Sequence, residues 1–304
     1  MSSDVAGGAL QVVAADVEQE WRRAGLSGGF LARHLQTSEQ LGFGVDRVLP
    51  LASVVKVPLA LVVLDEIASG RLDGAQQVRL DPAERTPGPT GLSVFAHPSS
   101  VAVEDLVTMS LAVSDNAATD ALLALVPPDV VTTRLRRWGW HDLTVRHPLH
   151  ELYTALGRLP ERTRSDLREL AVSASTQGGG HVLPQLDVAH ANAGSAGALV
   201  ELLAAVWGDR VGAPGVAARL RGAMGHQLVS PRLGVELASD LTTLRSKTGS
   251  FLNLRHEIGV VTTAEGDQVA IAALAVSSVP AEQQPEADAT IGAGARMAVE
   301  ALTA

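Results

Sequence analysis

The N-terminal part of the chain alternates hydrophobic and polar positions with two different periods. Over residues 8–25 the hydrophobic positions recur at helical spacing, which predicts an amphipathic helix. Two shorter stretches follow at residues 28–36 and 41–50, and the polar segment TSEQ separates them. Short hydrophobic stretches joined by a polar turn predict a β-hairpin. The chain is therefore predicted to begin with one helix and two strands.

The pattern changes after this hairpin and changes again near the C-terminus. Up to about residue 229 it is mostly helical, with loops rich in proline and glycine. Strand-like segments then return at residues 241–249, 257–264 and 268–278, and a closing helix is predicted over residues 289–304. This order predicts an α/β (α+β) fold with a five-stranded antiparallel sheet, flanked by the terminal helices.

The same pattern predicts two domains. The sheet domain is discontinuous, with residues 1–48 and 230–304, and residues 49–229 form an inserted all-helical domain. No hydrophobic stretch reaches the roughly 18 residues needed to span a membrane, which predicts a soluble protein. The N-terminus lacks the basic and apolar regions of a secretory signal, so we expect a cytoplasmic protein, or a secreted one if a signal has been removed.

Composition excludes several classes of function. The net charge of -9 and the 3% of aromatic residues argue against a nucleic-acid partner. The absence of cysteine excludes disulfides, thiol nucleophiles and thiolate metal sites. Zinc-helix, phosphate-loop and dinucleotide-binding motifs are also absent, so we expect neither a metal nor a cofactor.

Lysine is rare in this chain and stands at two places only. Lys56 and Lys247 are the two lysines among 24 cationic side chains, and all the others are arginine. An arginine keeps its proton, whereas a buried lysine can lose its proton and act as a base. Lys56 follows Ser53 by three residues at the start of a predicted helix, on the same helix face. Ser53 and Lys56 are therefore candidates for a nucleophile and its base.

Two further motifs accompany this pair. Ser114 to Asn116 form an S-D-N sequence after a hydrophobic segment, and Lys247 to Gly249 form a K-T-G sequence on a predicted strand. With S-x-x-K at Ser53, the three motifs stand in the order found in class A β-lactamases and penicillin-binding proteins, and the chain resembles that serine hydrolase superfamily. The resemblance implies an active site in the cleft between the two domains.

The resemblance also implies a catalytic role for four residues. Ser53 attacks a carbonyl carbon and forms an acyl-enzyme. Lys56 takes the proton, provided that burial and the charge of Lys247 lower its pKa. Ser114 relays the proton to the leaving nitrogen.

Substrate binding is implied for the neighbouring positions. Asn116 holds the substrate amide, and the backbone N–H groups of Ser53 and Ser250 hold the oxyanion. Gly249 lets the substrate approach the strand closely, because it has no Cβ.

A substrate carboxylate has four candidate partners. They are Thr248, Ser250, Arg245 and Arg255, of which the arginines are the weaker candidates.

One element of the class A pattern is missing. The loop opens with Arg146, His147 and Pro148, but the glutamate expected between His147 and Pro148 is absent. Glu151 is the nearest acid, and His147 or His150 offers another base near neutral pH. Turnover of a lactam is therefore in question, while acylation is not.

Three hypotheses remain open from the sequence. The first is a class A β-lactamase type of hydrolase that acts on a β-lactam, with deacylation slowed by the missing glutamate. The second is a D,D-peptidase or esterase on the same scaffold, and the third is an acyl-trapping or binding protein without turnover. All three imply a small-molecule β-lactam, acyl amide or ester as ligand, and the oligomeric state is left open.

Tyr153 is the only tyrosine, and a Y-x-N motif in place of S-D-N is excluded because Ala155 stands where the Asn is required.

Overall fold

The computed structural model describes residues 2–157, 164–173 and 178–304. Its α-helices and β-strands are, in chain order, α1 Ser2–Arg23, β1 Leu26–His34, β2 Gln40–Phe43, β3 Leu49–Pro50, α2 Lys56–Ala68, β4 Gln77–Leu80, β5 Ser99–Ala102, α3 Val103–Ala112, α4 Asn116–Leu125, α5 Pro128–Arg137, α6 His150–Gly157, α7 Arg164–Ser173, β6 Ala193–Gly194, α8 Ala196–Trp207, α9 Val216–Met224, α10 Leu233–Leu237, β7 Thr243–Phe251, β8 Leu254–Thr262, β9 Gln268–Ser277 and α11 Pro285–Leu302.

The main sheet has the five antiparallel strands that the sequence predicts. Its order is β2-β1-β9-β8-β7, and each neighbouring pair is antiparallel. Strand β9 lies at the centre, and its residues from Val269 to Ala275 are buried, as expected for a strand covered on both faces. The predicted fold class is confirmed.

The two terminal helices cover one face of this sheet. Helices α1 and α11 contact each other and the sheet, and Gly294 lies against Val17 at their crossing. Beneath them the Trp21 ring meets Phe30 and Phe43 edge-on, with centroid distances of 5.9 and 5.2 Å. Aromatic rings prefer such edge-to-face geometry, and this cluster fixes α1 on the sheet.

The opposite face of the sheet supports the helical part of the chain. Helix α2 is buried from Lys56 to Asp65, and it contacts α3, α4, α5 and α9. A helix that is hydrophobic on all sides belongs in the centre of a core. Helix α8 packs between this core and strands β1, β8 and β9.

The second predicted strand is shorter than the sequence suggests. The sequence predicts it over residues 41–50, but β2 ends at Phe43 because Gly44 turns the backbone into the left-handed region, with φ of +54°. Leu49 and Pro50 instead form β3, which pairs with β6. A second small sheet, β4 with β5, also interrupts the predicted helical stretch. The division into two domains stays a prediction.

Among the described residues, no helix is both long and apolar enough to cross a membrane.

Candidate active site

Ser53 lies in a single 3-10 turn that leads into α2. This turn spans Ala52–Val55, and α2 begins at the next residue, Lys56. Ala52 has a φ of +46°, which is unusual for a residue with a side chain. Backbone strain of this kind is often found at functional sites, and here it directly precedes the candidate nucleophile.

Lys56 is completely buried and holds the S-D-N segment. Its Nζ donates to the Ser114 carbonyl oxygen at 2.7 Å, to Ser114 Oγ at 3.1 Å and to Asn116 Oδ1 at 2.9 Å. Burial, and next the charge of Lys247, lower the pKa of Lys56 well below its usual value. Both causes are the ones expected from the sequence. They favour the neutral amine, which accepts a proton and whose two hydrogens suffice for the Ser114 carbonyl oxygen and Asn116 Oδ1.

The S-D-N segment is fixed by its middle residue. Asp115 is fully buried and caps α4, where its carboxylate accepts from the N–H groups of Ala117 and Ala118 at 2.9 and 3.2 Å. The same carboxylate accepts from the Leu92 N–H. Ser114 has a φ of +56°, in the left-handed region. A side-chain cap therefore supports the strained backbone that presents Ser114 to Lys56.

Lys247 lies on β7 and is also completely buried. Its Nζ donates to Gln227 Oε1 at 3.2 Å and to the Thr248 carbonyl oxygen at 2.9 Å. Burial lowers the pKa of Lys247 to about 7, although the charge of Glu257 opposes this shift. Gln227 Oε1 also accepts from the Thr248 N–H at 3.1 Å, so Gln227 fixes the K-T-G strand. No signal in the sequence points to Gln227, because it belongs to none of the motifs.

Gly249 allows two protein elements to touch. A Cβ built at Gly249 would lie 3.0 Å from the Leu51 carbonyl oxygen and 3.0 Å from the Val54 nitrogen. The missing side chain therefore lets β7 pack directly against the nucleophile turn. The sequence predicts that this space serves the substrate, whereas in the structure the turn occupies it.

One cavity of about 670 Å³ brings the motifs together. Residues of all three motifs line it, namely Ser53, Ser114, Asn116, Lys247 and Thr248, and so does Ser250, which follows the K-T-G motif. Lys56 lies behind this lining, where it contacts Ser114 and Asn116. The structure thus gathers three segments that are far apart in the sequence.

The two arginines are placed differently from the motif residues. Arg255 reaches the cavity wall, but it pairs with Asp288 at 3.1 Å and donates to the Glu282 carbonyl oxygen at 2.6 Å. Arg245 is not part of the cavity lining. The structure therefore lends neither arginine support as the carboxylate partner, and both assignments stay predictions.

The loop that lacks the glutamate forms the opposite wall of the cavity. Glu151 is exposed at the start of α6 and does not line the cavity. His150 is also exposed and lies 3.4 Å from Asp120. His147 does line the cavity, and its Nδ1 is 2.9 Å from the carbonyl oxygen of Pro148. Parts of the long loop predicted here, residues 158–163 and 177, lie outside the described residues.

Two polar residues of the cavity lining are not predicted as site residues from the sequence. Tyr153 lines the cavity, and its hydroxyl oxygen accepts from Asn116 Nδ2 at 3.0 Å. Asn192 Oδ1 accepts from the Arg146 and His147 N–H groups, at 2.7 and 3.2 Å. Neither residue belongs to a local motif. Each reaches the site only through the folding of the chain.

The chain is similar to known proteins in two respects: it matches a family model, and it is similar in sequence to an individual protein. Residues 12–302 match the model of a family described as the beta-lactamase enzyme family. The chain is also 49% identical, over 285 residues, to a protein of Streptomyces cacaoi named beta-lactamase regulatory protein BlaB. This match covers 90% of this chain and 91% of the relative.

Solved structures share the fold at low sequence identity. A beta-lactamase from Chitinophaga pinensis is similar with a TM-score of 0.77 and 19% identity, covering 95% of this chain and all of that one. A point mutant of PBP-A, solved as an acyl-enzyme complex with penicillin G, has a TM-score of 0.75 and 18% identity, and the match covers 96% of each chain.

Proposed function

The chain belongs to the beta-lactamase enzyme family, and from this premise we propose that it reacts with β-lactams through an acyl-enzyme on Ser53. The observation that carries the proposal is the buried Lys56, which lies behind the cavity lining that includes Ser53 and Ser114. Its lowered pKa and its contact with Ser114 suit it to move a proton there. A serine hydroxyl needs such a base to become a nucleophile.

The proposed acylation conserves every proton. Ser53 Oγ forms a bond to the lactam carbonyl carbon, and its proton passes to the neutral amine of Lys56. The lactam C–N bond then breaks, and the leaving nitrogen takes a proton from Ser114. Lys56 Nζ lies 3.1 Å from Ser114 Oγ, so it can return the proton that it took from Ser53.

The nucleophile turn and the K-T-G strand bind the substrate in this proposal. The N–H groups of Ser53 and Ser250 hold the oxyanion, and the close packing of Gly249 on the nucleophile turn supports their pairing. Lys247, Thr248 and the Ser250 hydroxyl face the substrate carboxylate, since all three line the cavity.

Slow release of the acyl group is the second part of the proposal. Among the described residues that line the cavity, Glu282 is the single acidic one, and it pairs with Arg168 at 2.6 Å. The deacylating water therefore lacks a carboxylate base beside the loop wall. Without such a base we expect deacylation to lose the 10²–10⁴-fold that general-base catalysis typically contributes.

An acyl-trapping protein is the second candidate function. The acid-poor loop wall favours it, and so does the name of the Streptomyces relative, which is a beta-lactamase regulatory protein. In that case a long-lived adduct at Ser53 is itself the useful state of the protein, and hydrolysis of the lactam is incidental.

Intact-protein mass spectrometry tests both parts of the proposal. The protein is mixed with penicillin G and sampled from seconds to hours, beside Ser53→Ala as the control. We expect an adduct of the mass of penicillin G that forms quickly, clears slowly and is absent from Ser53→Ala. Fast clearance with accumulating product would contradict the slow step, and the absence of any adduct would contradict acylation.

A further inference from the structure

The side-chain amide of Asn116 has no hydrogen left for a substrate. Its Oδ1 accepts from Lys56 Nζ at 2.9 Å, which fixes the orientation of the amide group. Its Nδ2 then donates one hydrogen to the Pro87 carbonyl oxygen and the other to the Tyr153 hydroxyl oxygen, each at 3.0 Å. An amide nitrogen carries two hydrogens, and both are used within the protein.

Tyr153 is the next polar group along this chain of hydrogen bonds. Its oxygen accepts from Asn116, so its own hydrogen remains available for a second bond. No described residue accepts that hydrogen, and Tyr153 lines the cavity. Burial raises the pKa of Tyr153, which keeps the hydroxyl protonated, as a donor requires, at neutral pH.

Hydrophobic side chains form part of the lining of the cavity that Tyr153 also lines. Leu149 and Leu152 line the cavity on the same loop, and Leu228, Phe251 and Leu252 line it from other segments. A ligand group bound to this hydroxyl therefore meets one hydrogen-bond donor and can contact hydrophobic side chains, while His147 and Asn192 also line the cavity. A neutral amide carbonyl joined to an alkyl or aryl group fits a single donor beside hydrophobic side chains.

We propose that Tyr153, and not Asn116, donates the hydrogen bond that recognises the carbonyl oxygen of the substrate's acylamino side chain. Asn116 is then a positioning residue, which orients the Tyr153 hydroxyl and holds Lys56. The preferred substrates are lactams with an apolar acylamino side chain. This inference rests on the proposed function, because it concerns the same cavity and the same acylation.

The test compares the rate of acylation by two penicillins in proteins with and without the Tyr153 hydroxyl. Penicillin G carries an acylamino side chain, and 6-aminopenicillanic acid has a bare amine in its place. In Tyr153→Phe we expect acylation by penicillin G to slow about threefold to tenfold, the effect of one neutral hydrogen bond. Acylation by 6-aminopenicillanic acid should change less than twofold. Equal slowing of both compounds, or of neither, would overturn the inference.

A second measurement separates this inference from the acylation chemistry. Calorimetry measures the non-covalent affinity of Ser53→Ala for both penicillins, with and without Tyr153→Phe. We expect Tyr153→Phe to weaken the binding of penicillin G about threefold to tenfold, and that of 6-aminopenicillanic acid less than twofold. This result would uphold Tyr153 even if the unmodified protein formed no adduct. An affinity for penicillin G that is unchanged by Tyr153→Phe, or no binding at all, would overturn the inference.

Discussion

The two walls of the cavity differ in burial and in chemistry. One wall consists of the nucleophile turn, the S-D-N segment and β7, and it holds two completely buried lysines. The other wall consists of residues 146–157, where Leu149, Leu152 and Tyr153 face the cavity and the acid Glu151 does not. We call them the lysine wall and the loop wall.

This difference separates two chemical steps. Acylation needs a base beside Ser53, and the lysine wall supplies it through Lys56. Deacylation needs a base for water, and the loop wall offers His147, hydrocarbon and a phenol but no carboxylate. One site can therefore keep the first step and lose most of the second, since separate elements of the fold support them.

Removal of the base tests the lysine wall with the largest expected effect. Lys56→Met keeps a chain of similar length but cannot take a proton. We expect acylation of Ser53 by penicillin G to fall about 10²- to 10⁴-fold in stopped-flow measurements, the usual contribution of a general base. A thermal melt reports whether the fold persists. A folded Lys56→Met protein with less than a tenfold loss would refute Lys56 as the base.

A methyl group at Gly249 should separate β7 from the nucleophile turn. The new Cβ would meet the Leu51 carbonyl oxygen and Val54, so the Ser250 N–H moves away from that of Ser53. We expect Gly249→Ala to slow acylation about 10²- to 10³-fold, as when one oxyanion donor is lost. Gly222→Ala is the matched control, since a Cβ there has open space, and unchanged acylation in both variants would exclude this packing role.

A carboxylate added to the loop wall should restore part of the missing step. Leu149 lines the cavity, and Leu149→Glu places an acid beside the acyl-enzyme. We expect the adduct with penicillin G to clear about 10- to 100-fold faster, within the range of general-base catalysis. Leu149→Gln has the same shape without the charge and should leave clearance slow. Equal clearance in both variants would indicate that charge is not what the loop wall lacks.

The smallest expected effect is on the pH dependence of acylation, which should follow the protonation of Lys247. Its pKa of about 7 means that it is cationic below pH 7 and loses its charge as the pH rises above 7. If that charge binds the substrate carboxylate, acylation should fall about fivefold from pH 7 to pH 8. Arginine stays charged in this range, so Lys247→Arg should abolish the fall. A fall that persists in Lys247→Arg would assign it to another group.

The sequence predicts the lysine wall far better than the loop wall. Ser53 and Lys56 share one short segment, so the spacing of three already predicts their proximity. The K-T-G strand can also be predicted from the sequence. The sequence does not show why glycine is needed at position 249, because the requirement comes from a contact between distant segments. The five-stranded sheet follows from the period of its hydrophobic positions.

The residues that the sequence analysis misses all act across long separations. Gln227 reaches Lys247 and Thr248 from the end of the helical stretch. Tyr153 reaches Asn116 from 37 positions along the chain. Such contacts have no local spacing to reveal them, since the packing of whole elements sets them. The pairing of β3 with β6 is another such contact, and the sequence predicts a single strand over residues 41–50 in its place.

The most direct test of the account is to locate the adduct. Trypsin cuts after Arg47 and Lys56, and the peptide of residues 48–56 contains one hydroxyl side chain, that of Ser53. After one minute with penicillin G and an acid quench, we predict that this peptide carries the added mass and keeps it for hours in undigested protein. Because trypsin does not cut after an acylated lysine, an adduct on Lys56 would appear on a longer peptide. Label found there or elsewhere in the chain, or no label, would contradict the account.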